Sequence, residues 1–213
     1  MMESIIAAII SAIAAIVVGI FGIVKNKDKK QKLEKLSTQH AYANFLDDKI
    51  ERNIYNLLHS LSRISMFTVN SFEMKNRFNV FFERNKALEI NELDILVRKK
   101  SDESESDKKI LDDIVAQWIG WYRKDRIKKL KIVSYDHDPE QFYTVFGDKI
   151  MFSGQVFFDS TKPTGTNINY SPVVYNGDSE DGLKIIKMYR KHFDNILAHY
   201  EKKGFVLFNS EDC

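Results

Sequence analysis

The chain has 213 residues, 44% of them apolar, and a formal net charge of +2. That length holds one ordinary domain with attachments, and the balanced charge gives no support to a nucleic-acid partner. A single cysteine, Cys213, excludes an internal disulfide and a cysteine-based zinc site.

Residues 5–24 form an uninterrupted apolar run in which Ser11 is the only hydroxyl. As a helix rising about 1.5 Å per residue, it reaches about 30 Å, the thickness of a bilayer's hydrocarbon core. Met1-Met2-Glu3-Ser4 carries no side-chain cation, and Gly22-Ile23-Val24-Lys25 offers no small-x-small cleavage pattern. The run therefore reads as an uncleaved anchor and not a secretory signal. Lys25, Lys27, Lys29, Lys30, Lys32 and Lys35 follow it, opposed by Asp28 and Glu34. Positive flanks stay on the cytosolic side, so the expected topology is single-pass in the cell membrane, N-terminus outside, residues 25–213 inside. Ala7, Ser11, Ala15 and Gly19 recur every four residues and share one helix face. Such a face lets two anchors pack closely, which points to a homodimer.

The expected domains are the anchor 5–24, a basic helical stalk 25–62 and an α/β domain 63–213. Residues 29–63 read as a helix, with Leu46, Ile50, Ile54, Leu57, Leu61 and Ile64 along one face. Ile64–Asn70 then reads as a strand, 76–88 as a helix, and Asp94–Arg98 as a buried strand. The charged stretch Ser101–Lys109 is expected to cap the next helix. That helix carries Ile110, Leu111, Ile114, Val115, Trp118 and Tyr122 at a period near 3.6, and Trp118 is expected in the core. Lys131–Tyr135, Phe142–Phe146 and Lys149–Phe158 read as strands, the last two joined by a turn at Gly147-Asp148. A helix over 182–200 and a short strand over 205–208 close the chain. This order predicts a mixed sheet with packed helices.

No HExxH, Walker loop, GxGxxG or GxSxG occurs, and neither a metal nor a cofactor is expected. Two loops carry candidate chemistry. Asp136-His137-Asp138 follows a strand, and a histidine between carboxylates has the makings of a general base, which makes His137 the catalytic candidate. The segment around Lys162, Thr164, Gly165 and Thr166 offers hydroxyls, a cation and a flexible backbone for a phosphate.

The segment Lys131–Phe158 with the last helix resembles a half-domain of the phospholipase D superfamily. Gly147-Asp148-Lys149-Ile150-Met151-Phe152-Ser153-Gly154-Gln155-Val156-Phe157 stands where that family has a tight turn, a strand and a Gly-Ser pair. With Gly154 on the family's glycine, its histidine falls on Glu140, its lysine on Phe142, its aspartate on Gly147 and its serine on Gln155. The resemblance thus implies a degenerate domain without the catalytic residues, and, because active members pair two halves, a homodimer. Together with the anchor read from residues 5–24, it implies a membrane-anchored binding, sensing or scaffold module. The alternatives are a membrane-perturbing effector driven by oligomerisation, and a phosphodiesterase or nuclease with other residues. Expected partners are the bilayer through residues 5–24, a second copy and a protein partner.

Overall fold

The computed structural model describes residues 34–35, 54–69, 71–99, 103–155, 157–158, 166–167 and 173–212. The apolar run 5–24, with Ala7, Ser11, Ala15 and Gly19, lies outside the described residues. Among the described residues no helix is long and apolar enough to cross a membrane.

Eight strands form one mixed sheet: β1 (Glu34–Lys35), β2 (Ile64–Thr68), β3 (Ile90–Arg98), β4 (Ile127–Tyr135), β5 (Gln141–Phe146), β6 (Ile150–Gln155), β9 (Val173–Asn176) and β10 (Val206–Asn209). Their spatial order is β1-β9-β6-β5-β2-β3-β4-β10. Two short strands, β7 (Phe157–Phe158) and β8 (Thr166–Asn167), pair separately. Within the main sheet β2, β3 and β4 are parallel, and every other pairing is antiparallel.

The parallel strands are joined by α1 (Phe72–Arg84) and α2 (Glu105–Tyr122), which cover one face. The last helix, α3 (Glu180–Lys202), covers the other. Strand alternation explains the two layers. Ile64 and Met66 of β2, with Leu93, Ile95 and Val97 of β3, meet Phe78, Phe81, Leu111 and Trp118. Phe67, Leu96, Val133 and Tyr135 point the other way, onto Ile186, Phe193 and Leu197. Sheets buried on both faces read as nearly continuous apolar runs, which is why Ile95-Leu96-Val97 shows no alternation in hydropathy.

Trp118 lies in the core as expected, 1% exposed, and its indole N–H donates to Ser71 Oγ at 3.0 Å. Ser104 caps α2 by accepting from the Asp107 amide at 3.2 Å, with Glu105 and Asp107 in the first turn. Acids there oppose the positive end of the helix dipole.

The helix expected over 29–63 is corrected at both ends. Glu34–Lys35 is a strand on β9, and the later part is helical at 54–57, tightens into a 3-10 turn at Leu58–Ser60, and then stops. Ile54, Leu58 and Leu61 belong to the core under α1, so this segment packs on the domain itself. Helix α1 starts four residues before the expected 76, where Ser71, three residues past β2, turns the chain in a left-handed conformation (φ 58°). The strand expected over 149–158 ends at Gln155, and Phe157–Phe158 leaves for the second sheet. Strand β9, four residues long, was not expected.

Candidate functional site

Open α/β sheets receive ligands at the carboxyl ends of their parallel strands. Here Thr68, Arg98 and Tyr135 end β2, β3 and β4 on one edge. From β4 the chain must reach β5, which lies beyond β3 and β2. Three strand spacings amount to about 14 Å. Residues 136–140 make that crossing, so Asp136-His137-Asp138-Pro139-Glu140 forms a strap over the carboxyl ends of β3 and β2.

The strap is held by its own side chains. Tyr200 of α3 donates its hydroxyl proton to Asp136 Oδ1 at 2.7 Å. His137 Nδ1 lies 2.9 Å from the same hydroxyl oxygen. With the tyrosine proton committed to Asp136, the bond from His137 runs as Nδ1–H to Tyr200, which leaves Nε2 as an acceptor. The ring of His137 also sits 4.9 Å from the Tyr135 ring and 6.0 Å from the Tyr200 ring. Arg98 Nη1 meets Asp138 Oδ1 at 2.8 Å, and Arg98 Nε faces Glu103 Oε1 at 3.4 Å. Tyr135 donates to the Thr68 carbonyl at 2.8 Å, tying β4 to β2 beneath the strap.

These contacts set the local acidities. The hydrogen bond from Tyr200 holds the Asp136 carboxyl below the usual carboxylate range. Burial, then the bond to Asp136, pushes the Tyr200 phenol up. Burial is the main cause that pushes Tyr135 well up, with Arg98 opposing it and Asp138 adding to it. Farther along α3, His192 Nδ1 lies 3.0 Å from the Tyr143 hydroxyl, and Tyr189 donates to Gln141 at 3.0 Å. Burial raises Tyr143 also.

The opposite edge holds a second cluster, around Arg63. Its guanidinium contacts Asp94 at 2.5 Å, Asp194 at 2.7 Å and Glu92 at 3.1 Å. Cross-strand pairing sets Glu92 beside Lys129 and Asp94 beside Lys131. Lys131 pairs with Glu201 of α3 at 2.7 Å. A cleft of ≈ 190 Å³ opens between these groups and Leu130, Leu197 and Asn209. Burial lifts the Asp94 carboxyl to about 6 in spite of Arg63. On Arg63 burial pulls the other way, and Asp94 and Asp194 more than offset it. None of this cluster stood out in the sequence, although one signal was present: Asp94 directly precedes the apolar run Ile95-Leu96-Val97 within β3.

The positions taken from the phospholipase D pattern do not gather at one point. Glu140 ends the strap, and Phe142 and Gly154 face each other across β5 and β6 near the same edge. Gln155 pairs with Gln141 there. Gly147 lies at the far end of β5, in the turn to β6. Both glycines have steric reasons to be glycine. Gly147 has φ 53°, a region open to glycine, and a Cβ on Gly154 would lie 2.6 Å from the Phe142 ring. Lys162, Thr164 and Gly165 lie outside the described residues, and of Thr166 only the backbone, in β8, is described.

No protein-family model matches the chain, and no curated protein does. Among solved structures it is similar to the crystal structure of a phospholipase D family member, Nuc from Salmonella typhimurium. The identity is 9%, the match covers 78% of this chain and 93% of that one, and the TM-score is 0.42.

Proposed function

We propose that this chain is a membrane-anchored, non-catalytic binding or scaffolding module, with residues 5–24 in the bilayer and the α/β domain in the cytosol. The observation that carries the non-catalytic part is the strap. Asp136 and His137 are joined through Tyr200, Asp138 is paired with Arg98, and Arg98 already faces two carboxylates. Hydrolysis of a phosphodiester needs cations aimed at the developing charge on phosphorus oxygens. The strap itself presents exposed Asp136, Asp138 and Glu140, and the Arg98 guanidinium beside it is already paired with carboxylates. The anchor rests on the apolar run and its lysine flank.

One observation favours a second reading, hydrolysis with His137 as base. Asp136, Tyr200 and His137 form a chain that leaves Nε2 available to accept a proton. Such a chain orients a base in the way general-base catalysis requires.

Two assays test these readings. Membranes carrying the full chain are washed with alkaline carbonate, and the purified chain is incubated with a phosphodiester such as bis(p-nitrophenyl) phosphate. The proposal expects the chain to stay in the membrane pellet and no turnover above the level of His137→Ala. Release into the wash contradicts the anchor, and turnover lost in His137→Ala establishes the second reading.

A further inference from the structure

We infer that the strap holds shut an oxyanion site on Arg98, with the Asp138 carboxylate standing where the carboxylate or phosphate oxygens of a ligand would bind. This rests on the binding-module reading and gives its ligand a chemistry. Arg98 ends β3, and its side chain is only 11% exposed. A guanidinium presents a planar fork of donors that receives paired oxygens of a carboxylate or phosphate. One part of the fork, Nε, faces Glu103, which is 9% exposed and stands just before α2. The other, Nη1, meets Asp138, which is 42% exposed and belongs to the strap. Glu103 thus faces the fork from the scaffold at ion-pair distance, with Nε making no hydrogen bond among the described residues, while Asp138 Oδ1 meets Nη1 from a crossing loop.

The location fits a ligand site. The Arg98 amide donates to the Val69 carbonyl at 2.9 Å, so the end of β3 is tied to the segment leading from β2 into α1. This is the carboxyl end of two adjacent parallel strands. Beside it the sheet changes from parallel to antiparallel, between β2 and β5. With the strap closed, Asp138 occupies Arg98 Nη1 and competes with an incoming anion. The apparent affinity is then the affinity of the open site reduced by the fraction of molecules in which the strap is open.

The test uses the full chain in detergent micelles, titrated calorimetrically with inorganic phosphate and separately with acetate, against chloride at matched ionic strength. Asp138→Ala removes the internal carboxylate and is expected to bind one of the two anions at least tenfold more tightly than the unaltered chain. The preferred anion identifies the ligand as phosphate- or carboxylate-bearing. Adding Arg98→Lys, which keeps the charge and loses the fork, is expected to abolish the gain. Equal weak binding by Asp138→Ala and the unaltered chain, or a gain that survives Arg98→Lys, overturns the inference. Should Asp138→Ala not fold, hydrogen exchange of the unaltered chain decides. High phosphate or acetate should speed exchange at the strap amides severalfold over chloride, and unchanged exchange overturns the inference. Phosphodiester turnover would instead strike the non-catalytic reading and leave this anion test standing.

Discussion

Two charged clusters sit at opposite edges of the sheet and are built from similar residues. At the amino ends of the parallel strands, Arg63 joins Asp94 of β3 to Asp194 of α3. At the carboxyl ends, Arg98 of β3 joins Asp138 of the strap. The first holds Asp94 of the sheet, 7% exposed, and reaches the helix through Asp194, 44% exposed. The second ties a loop to the sheet through a carboxylate that is 42% exposed. Burial decides what each can do. A buried pair is costly to break, because the remaining charge stays out of water, whereas an exposed partner is readily replaced by solvent or another anion. The amino edge therefore acts as a structural clamp, and the carboxyl edge is where a ligand can compete.

The largest expected effect tests the clamp. Arg63→Ala leaves Asp94 buried without its main counter-charge and should destabilise the fold by about 3–5 kcal/mol in urea denaturation. A loss under 1 kcal/mol would show that water reaches Asp94 and would erase the contrast between the edges.

The next effect is a pH dependence. Asp94 has its carboxyl raised to about 6 in the fold, against about 3.9 in an unfolded chain. Between these values the folded state holds more protons than the unfolded one, so this group's contribution falls as pH rises through that window. The difference of about two pH units corresponds to about 3 kcal/mol. Asp94→Asn should remove this slope when stability is followed from pH 4 to 6, and an unchanged slope would place its origin elsewhere.

Smaller effects are expected at the carboxyl edge. Tyr200→Phe keeps the ring against Phe205 and His137 but deletes the hydroxyl that joins Asp136 to His137. It should cost about 1 kcal/mol. His137→Ala, on an exposed strap, should change stability by less than about 0.5 kcal/mol. A loss above 2 kcal/mol in either would make the strap part of the folding core.

The contrast between the edges also marks what was legible in the sequence. The periodic stripe from Ile110 to Tyr122 and the apolar runs of β3 and β4 announced their elements, because burial against a sheet imposes those patterns. Boundaries slipped where the cause lay outside the local pattern. Ser71 is an N-cap residue type, but it starts α1 in a left-handed conformation and its side chain makes no cap bond. Strand β9 is four residues long and directly follows Pro172, which marks a turn or loop and not a strand. Asp136-His137-Asp138 was visible as a polar cluster. Its partner Tyr200 lies at the end of the helix expected over 182–200, with nothing local to mark it. The hydrogen bonds that join them span more than sixty positions, and no local spacing encodes such a contact. Arg63 and Asp94 went unremarked for the same reason, being 31 positions apart.

The most direct measurement of the central claim is phosphodiester hydrolysis by the purified full chain, compared with His137→Ala at equal concentration. The account predicts that the two are indistinguishable and that neither exceeds the buffer blank. Turnover by the unaltered chain that disappears in His137→Ala would contradict it and make Asp136, Tyr200 and His137 the centre of an enzyme.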